Sequence, residues 1–194
     1  MKIRRYLLLL APLLLLCGRL NAGTPEAEKR LQSAVNEVLT AAESAPDVAA
    51  LPAKLSPILL RHISFDAMTR RAVGPGWRQF TNAEKEKAVE LFTTLIIRTY
   101  SEKITPGEYP VIKFKPASTP APGRVEVPTI LTYRGSTYEV TYRLEEAEGW
   151  RITDVMIEGV SLVANYRSQF DALFKKDGAN GVLNALTKEK ARNK

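Results

Sequence analysis

Between residues 152 and 174 the hydrophobic period of the chain changes partway along, and that change restricts what the rest of the chain can be. Before Gly159 the apolar residues alternate as they do along a strand. After Ser161 they fall at Leu162, Val163, Tyr166, Phe170, Leu173 and Phe174, which is helical spacing. Gly159 is therefore a corner, and Ser161 can cap the helix by accepting a hydrogen bond from one of its first free backbone N–H groups. A strand that runs straight into a helix must send that helix back over an apolar sheet face.

The sheet is legible upstream. Residues 109–115, 124–134, 137–145 and 150–157 read as four strands, separated by a proline-rich loop at 116–123 and by tight turns at Gly135-Ser136 and Glu148-Gly149. Consecutive strands so joined are expected to pair as a four-stranded antiparallel meander. Val125, Val127, Leu131 and Tyr133 share one face of the second strand; Tyr138, Val140, Tyr142 and Leu144 share one face of the third. The opposite faces are largely polar, so the helices should cover one side only, giving an α+β domain. In the fourth strand Trp150 and Ile152 point one way, and Val155 and Ile157 point the other unless a residue is inserted. A β-bulge near Thr153 and Asp154 is expected.

The helical half comes first in the chain. Leu31, Val35, Val38, Leu39 and Ala42 form one apolar stripe over residues 25–42. Residues 47–63 carry Pro52 and Pro57 and read as a short or kinked helix. Phe65, Met68 and Val73 mark another, stopped by Gly74-Pro75-Gly76. Thr81 and Glu84 have the spacing of a capping box. They open a long helix whose broad face holds Ala88, Leu91, Phe92, Leu95, Ile96, Tyr100 and Ile104.

Residues 1–22 have the form of a cleaved secretory signal: Lys2, Arg4 and Arg5, an apolar run from Tyr6 to Cys17 too short to span a bilayer, and Leu20-Asn21-Ala22 as the cleavage site. The expected mature chain, 23–194, is one domain with a basic C-terminal tail of Lys188, Lys190, Arg192 and Lys194. Cys17, the single cysteine, leaves with the signal, so an exported domain without disulfides must hold together by burial and hydrogen bonds. The formal net charge of +7 loses the cations Lys2, Arg4, Arg5 and Arg19 in the same step. What remains does not point to nucleic acid, and no aromatic and basic residues interleave as a single-strand binder requires.

Catalytic chemistry is thinly represented. His62 is the only histidine, so a triad or a zinc site would have to be built on it without cysteine. Its place on a proline-broken apolar helix reads as structural. Gly159-Val160-Ser161-Leu162-Val163 lacks the second glycine of a nucleophile elbow. Glu145, Glu146 and Glu148 gather at a hairpin, the ordinary place for solvated carboxylates. Neither a metal nor another cofactor is expected, and the chain reads as not an enzyme.

What the apolar faces do is the remaining question. Tyr100, Tyr133, Tyr138, Tyr142 and Tyr166 place rings with polar tips along the seam between sheet and helices, which suits the rim of an apolar cavity and also an ordinary core edge. The run from Asp154 to Phe170, together with Phe65–Gly74 and Trp77-Arg78, resembles the MlaC family, the toluene-tolerance proteins that carry phospholipid across the periplasm; Gly74-Pro75-Gly76 departs from the family's usual linker before the tryptophan. The resemblance implies a periplasmic, monomeric carrier that holds phospholipid tails between sheet and helices. It would exchange lipid between an outer-membrane lipoprotein-porin complex and an inner-membrane ABC transporter with an MCE-type subunit, maintaining outer-membrane lipid asymmetry.

On that reading Trp77, Phe92, Leu95, Ile96 and Tyr100 line the helical wall, and Val127, Leu131, Tyr133, Val140, Tyr142, Val155 and Ile157 the sheet wall. Val160, Val163, Tyr166 and Phe170 close one end. Arg70, Arg71, Arg78 and Arg167 are candidates for a lipid phosphate or an acidic partner surface. The alternatives are a small NTF2-like α+β enzyme with His62 or a carboxylate as base, an adaptor with a filled core, and a carrier of another lipid such as a hopanoid.

Overall fold

The computed structural model describes residues 24–192, and the side chains of 24–189; the signal segment expected at 1–22 lies outside them. Five helices and six strands follow in the order α1 (Thr24–Glu43), α2 (Leu51–His62), α3 (Phe65–Val73), a 3-10 turn (Gly74–Gln79), α4 (Asn82–Ser101), β1 (Val111–Phe114), β2 (Ser118–Ala121), β3 (Arg124–Tyr133), β4 (Ser136–Ala147), β5 (Gly149–Ile157), β6 (Val160–Ser161) and α5 (Leu162–Arg192).

The sheet has six strands, not four. Its order is β1–β3–β4–β5–β6, every pair antiparallel, with β2 also paired to β3. The extra strands are short edge pieces. β2 lies in the proline-rich stretch expected as loop, and shares one edge of β3 with β1. The handover between them falls at Pro128, which has no N–H to offer that edge and instead accepts from the Lys115 backbone N–H at 2.9 Å. β6 follows a turn in which Glu158 and Gly159 both have positive φ, 50° and 76°, the geometry that folds two strands tightly back on each other.

Cross-strand register places the apolar faces together: Val125 opposite Leu144, Val127 opposite Tyr142, Thr129 opposite Val140 and Leu131 opposite Tyr138. Between β4 and β5 the register slips by one residue, since Arg143 pairs with Asp154 while Leu144 pairs with Ile152. Thr153 is the inserted residue, as the phase break in the sequence requires. The bulge keeps Ile152, Val155 and Ile157 on one face.

The helix starts follow from their caps. Thr81 Oγ1 accepts from Glu84 N at 3.2 Å while Glu84 Oε2 accepts from Thr81 N at 2.7 Å, closing the capping box of α4. Ser161 Oγ accepts from Ala164 N at 3.0 Å and donates to Asp154 Oδ2 at 2.6 Å; Asp154 Oδ1 accepts from Val163 N at 3.1 Å. The residue after the bulge therefore ties β5 to the first turn of α5. Pro52 sits in the first turn of α2, where its missing N–H costs nothing.

α5 breaks at Gly178, with φ 60° and ψ −149°. The stretch expected as a basic tail is helical as far as Arg192, and Val182 and Leu186 bury its apolar side. Three apolar clusters result. Helices α3, α4 and α5 enclose Phe65, Met68, Phe92, Leu95, Phe170, Val182 and Leu186. Ala27 and Leu31 of α1 sit on Val125, Val127, Leu144, Trp150 and Ile152 of the sheet. Farther along, α1 turns its apolar side to α2 through Ala42, Leu51 and Leu55.

Candidate ligand-binding cavity

The cavity arises because α1 touches the sheet at one end and leaves it at the other. Ala27, fully buried, lets the helix approach the strands closely near its start. From Val38 onward α1 packs on α2 instead, away from the sheet. The space left between them has a volume of about 320 Å³, at the low end of small-molecule pockets. Val35, Val38 and Leu39 face Leu131, Val140, Tyr142, Val155 and Ile157 across it; Ile96, Tyr100 and Ile104 close one flank and Tyr109, Pro110 and Ile112 the edge. Its wall is alanine, valine, leucine, isoleucine, methionine and proline, with His62, Tyr100, Tyr109 and Tyr142 as the exceptions. Among the described residues no serine, threonine, cysteine or carboxylate lines it, so none of them gives His62 a nucleophile or an acid partner inside the cavity.

Seven of the residues expected to line a tail-binding site come together here: Ile96, Tyr100, Leu131, Val140, Tyr142, Val155 and Ile157. The other nine lie elsewhere. Phe92, Tyr166 and Phe170 pack on one another between α4 and α5 with ring centroids 5.0–5.9 Å apart, Phe92 being edge-on to both partners, and Tyr166 and Phe170 also line a separate, more polar cleft with Leu95, Gln169 and Glu189. Trp77 stacks on Phe80 at 5.7 Å. Leu95 and Val163 are buried in that same helical core, and Val127 is buried under the start of α1. Tyr133 accepts a hydrogen bond from Thr105 N at 3.3 Å, which ties the sheet end to the chain leaving α4. Val160 is 61% exposed.

What sequence reasoning missed is the α1 and α2 side. The stripe of Val35, Val38 and Leu39 carries the signal, but helical periodicity marks it only as an inward face.

Burial sets the electrostatics of the few polar groups. Desolvation alone pushes the Tyr142 phenol up to about 12, and raises Tyr100 with help from Tyr166. His62 is 2% exposed, and burial lowers its pKa against the opposing pull of Glu37, whose Oε1 lies 2.9 Å from Nε2. Glu37 in turn is held down to about 2, chiefly by the hydrogen bond from Arg61 Nη2 at 2.5 Å.

Some charged residues outside the cavity have structural partners. Arg71 and Arg124 both hold Glu145, at 2.5 and 3.3 Å. The Arg167 guanidinium lies against Gly74, where a Cβ would meet it at 2.8 Å. None of Arg70, Arg71, Arg78 and Arg167 belongs to the cavity wall.

The family model of the MlaC protein matches residues 29–188. The chain belongs to the MlaC family. That span takes in both walls of the cavity and the whole sheet, so the architecture described above is that of an MlaC domain. Among solved structures, the chain is similar to the phospholipid-binding protein from Ralstonia solanacearum, determined in complex with a phospholipid. The two are 24% identical, with a TM-score of 0.80 over 87% of this chain and 98% of that one, which establishes a shared fold. No curated protein sequence matches.

Proposed function

We propose that this MlaC-family protein is a periplasmic phospholipid carrier, holding acyl tails in the cavity between α1, α2, α4 and the sheet with the headgroup outside. One observation carries the reading: a cavity of about 320 Å³ is left open between helices and sheet, with a wall that is almost wholly aliphatic. Large unfilled apolar space is costly in a protein interior, and a site that keeps it has a use for it. The related Ralstonia protein, of the same fold, was determined with phospholipid bound.

The energetics suit transport. Each methylene taken out of water is worth about 0.8 kcal/mol, so tails crossing an aqueous compartment need a sheath. An apolar wall with few polar groups hides tails without recognising a headgroup, and that permits release to a membrane complex that binds the tails as well. The carrier would exchange lipid between an outer-membrane lipoprotein-porin complex and an inner-membrane MCE-type ABC transporter, reached by way of the N-terminal signal.

Native mass spectrometry of the protein purified from the periplasm without detergent tests this. The expected spectrum shows the chain with a bound mass that extraction identifies as phospholipid. Protein free of lipid that also takes none from vesicles would overturn the proposal.

A further inference from the structure

The volume of the cavity bounds how much hydrocarbon it can take. An apolar cavity of about 150 Å³ lined by leucine, isoleucine and phenylalanine holds one benzene ring. On that scale the 320 Å³ between α1, α2 and the sheet holds roughly a dozen carbon atoms, against ~30 in the two tails of an ordinary diacyl phospholipid.

The surroundings offer no second apolar space. Towards α5, Phe92 is completely buried, with Tyr166 and Phe170 edge-on against it. The cleft on the outer side of those two rings carries Glu102, Lys103, Gln169 and Glu189, a poor lining for a hydrocarbon chain. Under the start of α1, Ala27 packs with Val125, Val127 and Trp150, all buried. The opposite edge differs. Tyr109 lines the cavity and is also 39% exposed, so the cavity reaches water there.

We infer that the cavity takes one hydrocarbon chain at a time, so that the preferred cargo is a monoacyl phospholipid, a lysophospholipid, whose chain enters beside Tyr109 and whose headgroup stays in water. This rests on the carrier reading and narrows its ligand class. A bilayer shields both tails of a diacyl lipid, whereas this cavity would leave one of them outside. Each methylene so exposed forfeits about fourfold in affinity, which separates the two classes widely. The almost wholly aliphatic wall then selects by the number and length of chains and not by headgroup.

The test brings delipidated mature protein to equilibrium with vesicles holding equal amounts of palmitoyl lysophosphatidylcholine and dipalmitoylphosphatidylcholine, and reads the adducts by native mass spectrometry. The lysolipid adduct should exceed the diacyl adduct at least ~10-fold, with one lipid per protein. A second series titrates lysophosphatidylcholines of increasing chain length below their micelle-forming concentrations. Affinity should rise about fourfold per methylene up to roughly a dozen carbons and less than about twofold per methylene beyond. Val38→Phe, which puts a ring into the same space, should shorten that limit by ~3 carbons. Diacyl adducts equal to or above the lysolipid ones, or a rise that continues undiminished to ~18 carbons, overturn the inference and leave the carrier reading standing. If the protein takes neither lipid, the carrier reading itself has failed, and the inference with it.

Discussion

The cavity half and the aromatic half of this domain are built from similar kinds of residue with opposite results. Between α4 and α5, Phe92 is completely buried, and Tyr166 and Phe170 stand edge-on against it, leaving only a more polar cleft on the outer side of Tyr166 and Phe170. Between α1 and the sheet, Val35, Val38, Leu131 and Val155 are only half-buried although they point inward. Rings reach across a gap between two elements; short aliphatic chains on both sides do not. The difference lies in the spacing of the backbones, set by Ala27 at one end of α1, the α2 contact at the other, and the bulge at Thr153.

The contrast is most easily broken from the filled side. Phe92→Ala should cost ~3–5 kcal/mol and lower the thermal midpoint by on the order of 10 °C, while lipid retained per folded molecule stays constant. Val38→Ala, a deletion that faces empty space and loses few packing partners, should cost less than ~1 kcal/mol on the same thermal scan. Comparable losses in the two variants would mean that the halves are packed alike.

Leu131→Glu addresses the hollow side. A carboxylate among aliphatic walls should reduce lipid retention at least ~10-fold, read by extraction and quantification, with circular dichroism unchanged at this half-exposed position. Gly181→Ala then probes the end of α5 that packs on the firm half. A Cβ there would lie 2.6 Å from Leu173 O and 2.9 Å from Asp177 Cβ, so the helix after Gly178 must shift. We expect ~1–3 kcal/mol of destabilisation by chemical denaturation and unaltered lipid content.

The smallest effects are in the pH dependence. His62 is held below its ordinary 6.5 by burial, so as pH falls through 6.5 the unfolded chain takes up the proton first and stability declines. Glu37, lowered to about 2, contributes stability that is complete above 4.5 and disappears as pH falls from there towards 2. Melting curves of His62→Gln should lose the upper part of this decline and those of Glu37→Gln the lower part. A wild-type midpoint that stays flat from pH 7 to 4.5 would contradict the assignment for His62.

Much of this was readable in the residues, for identifiable reasons. The bulge at Thr153 shows because a two-residue period cannot tolerate an insertion without a phase break, and Ser161 and Thr81 show as caps because capping is local chemistry. β2 does not, since an edge strand with Pro120 in it looks like loop, and the last helix does not, since Gly178 and Gly181 interrupt a pattern of few apolar residues. Within the site, Leu131, Val140, Tyr142, Val155 and Ile157 follow from alternation on the correct face. Phe92, Tyr166 and Phe170, which the resemblance implies as part of the site, pack against one another between α4 and α5, because helical periodicity gives an inward face without saying which neighbour it meets. Val35, Val38 and Leu39 look like any inward stripe; only the spacing of α1 from the sheet tells them apart from core.

The most direct test of the contrast loads the protein with phospholipid spin-labelled along one acyl chain and follows its methyl resonances. The account predicts strong paramagnetic broadening of Val35, Val38, Leu131 and Val140, with Leu91, Val182 and Leu186 left sharp. Broadening centred on the α4–α5 core, or spread evenly over both groups, would contradict it.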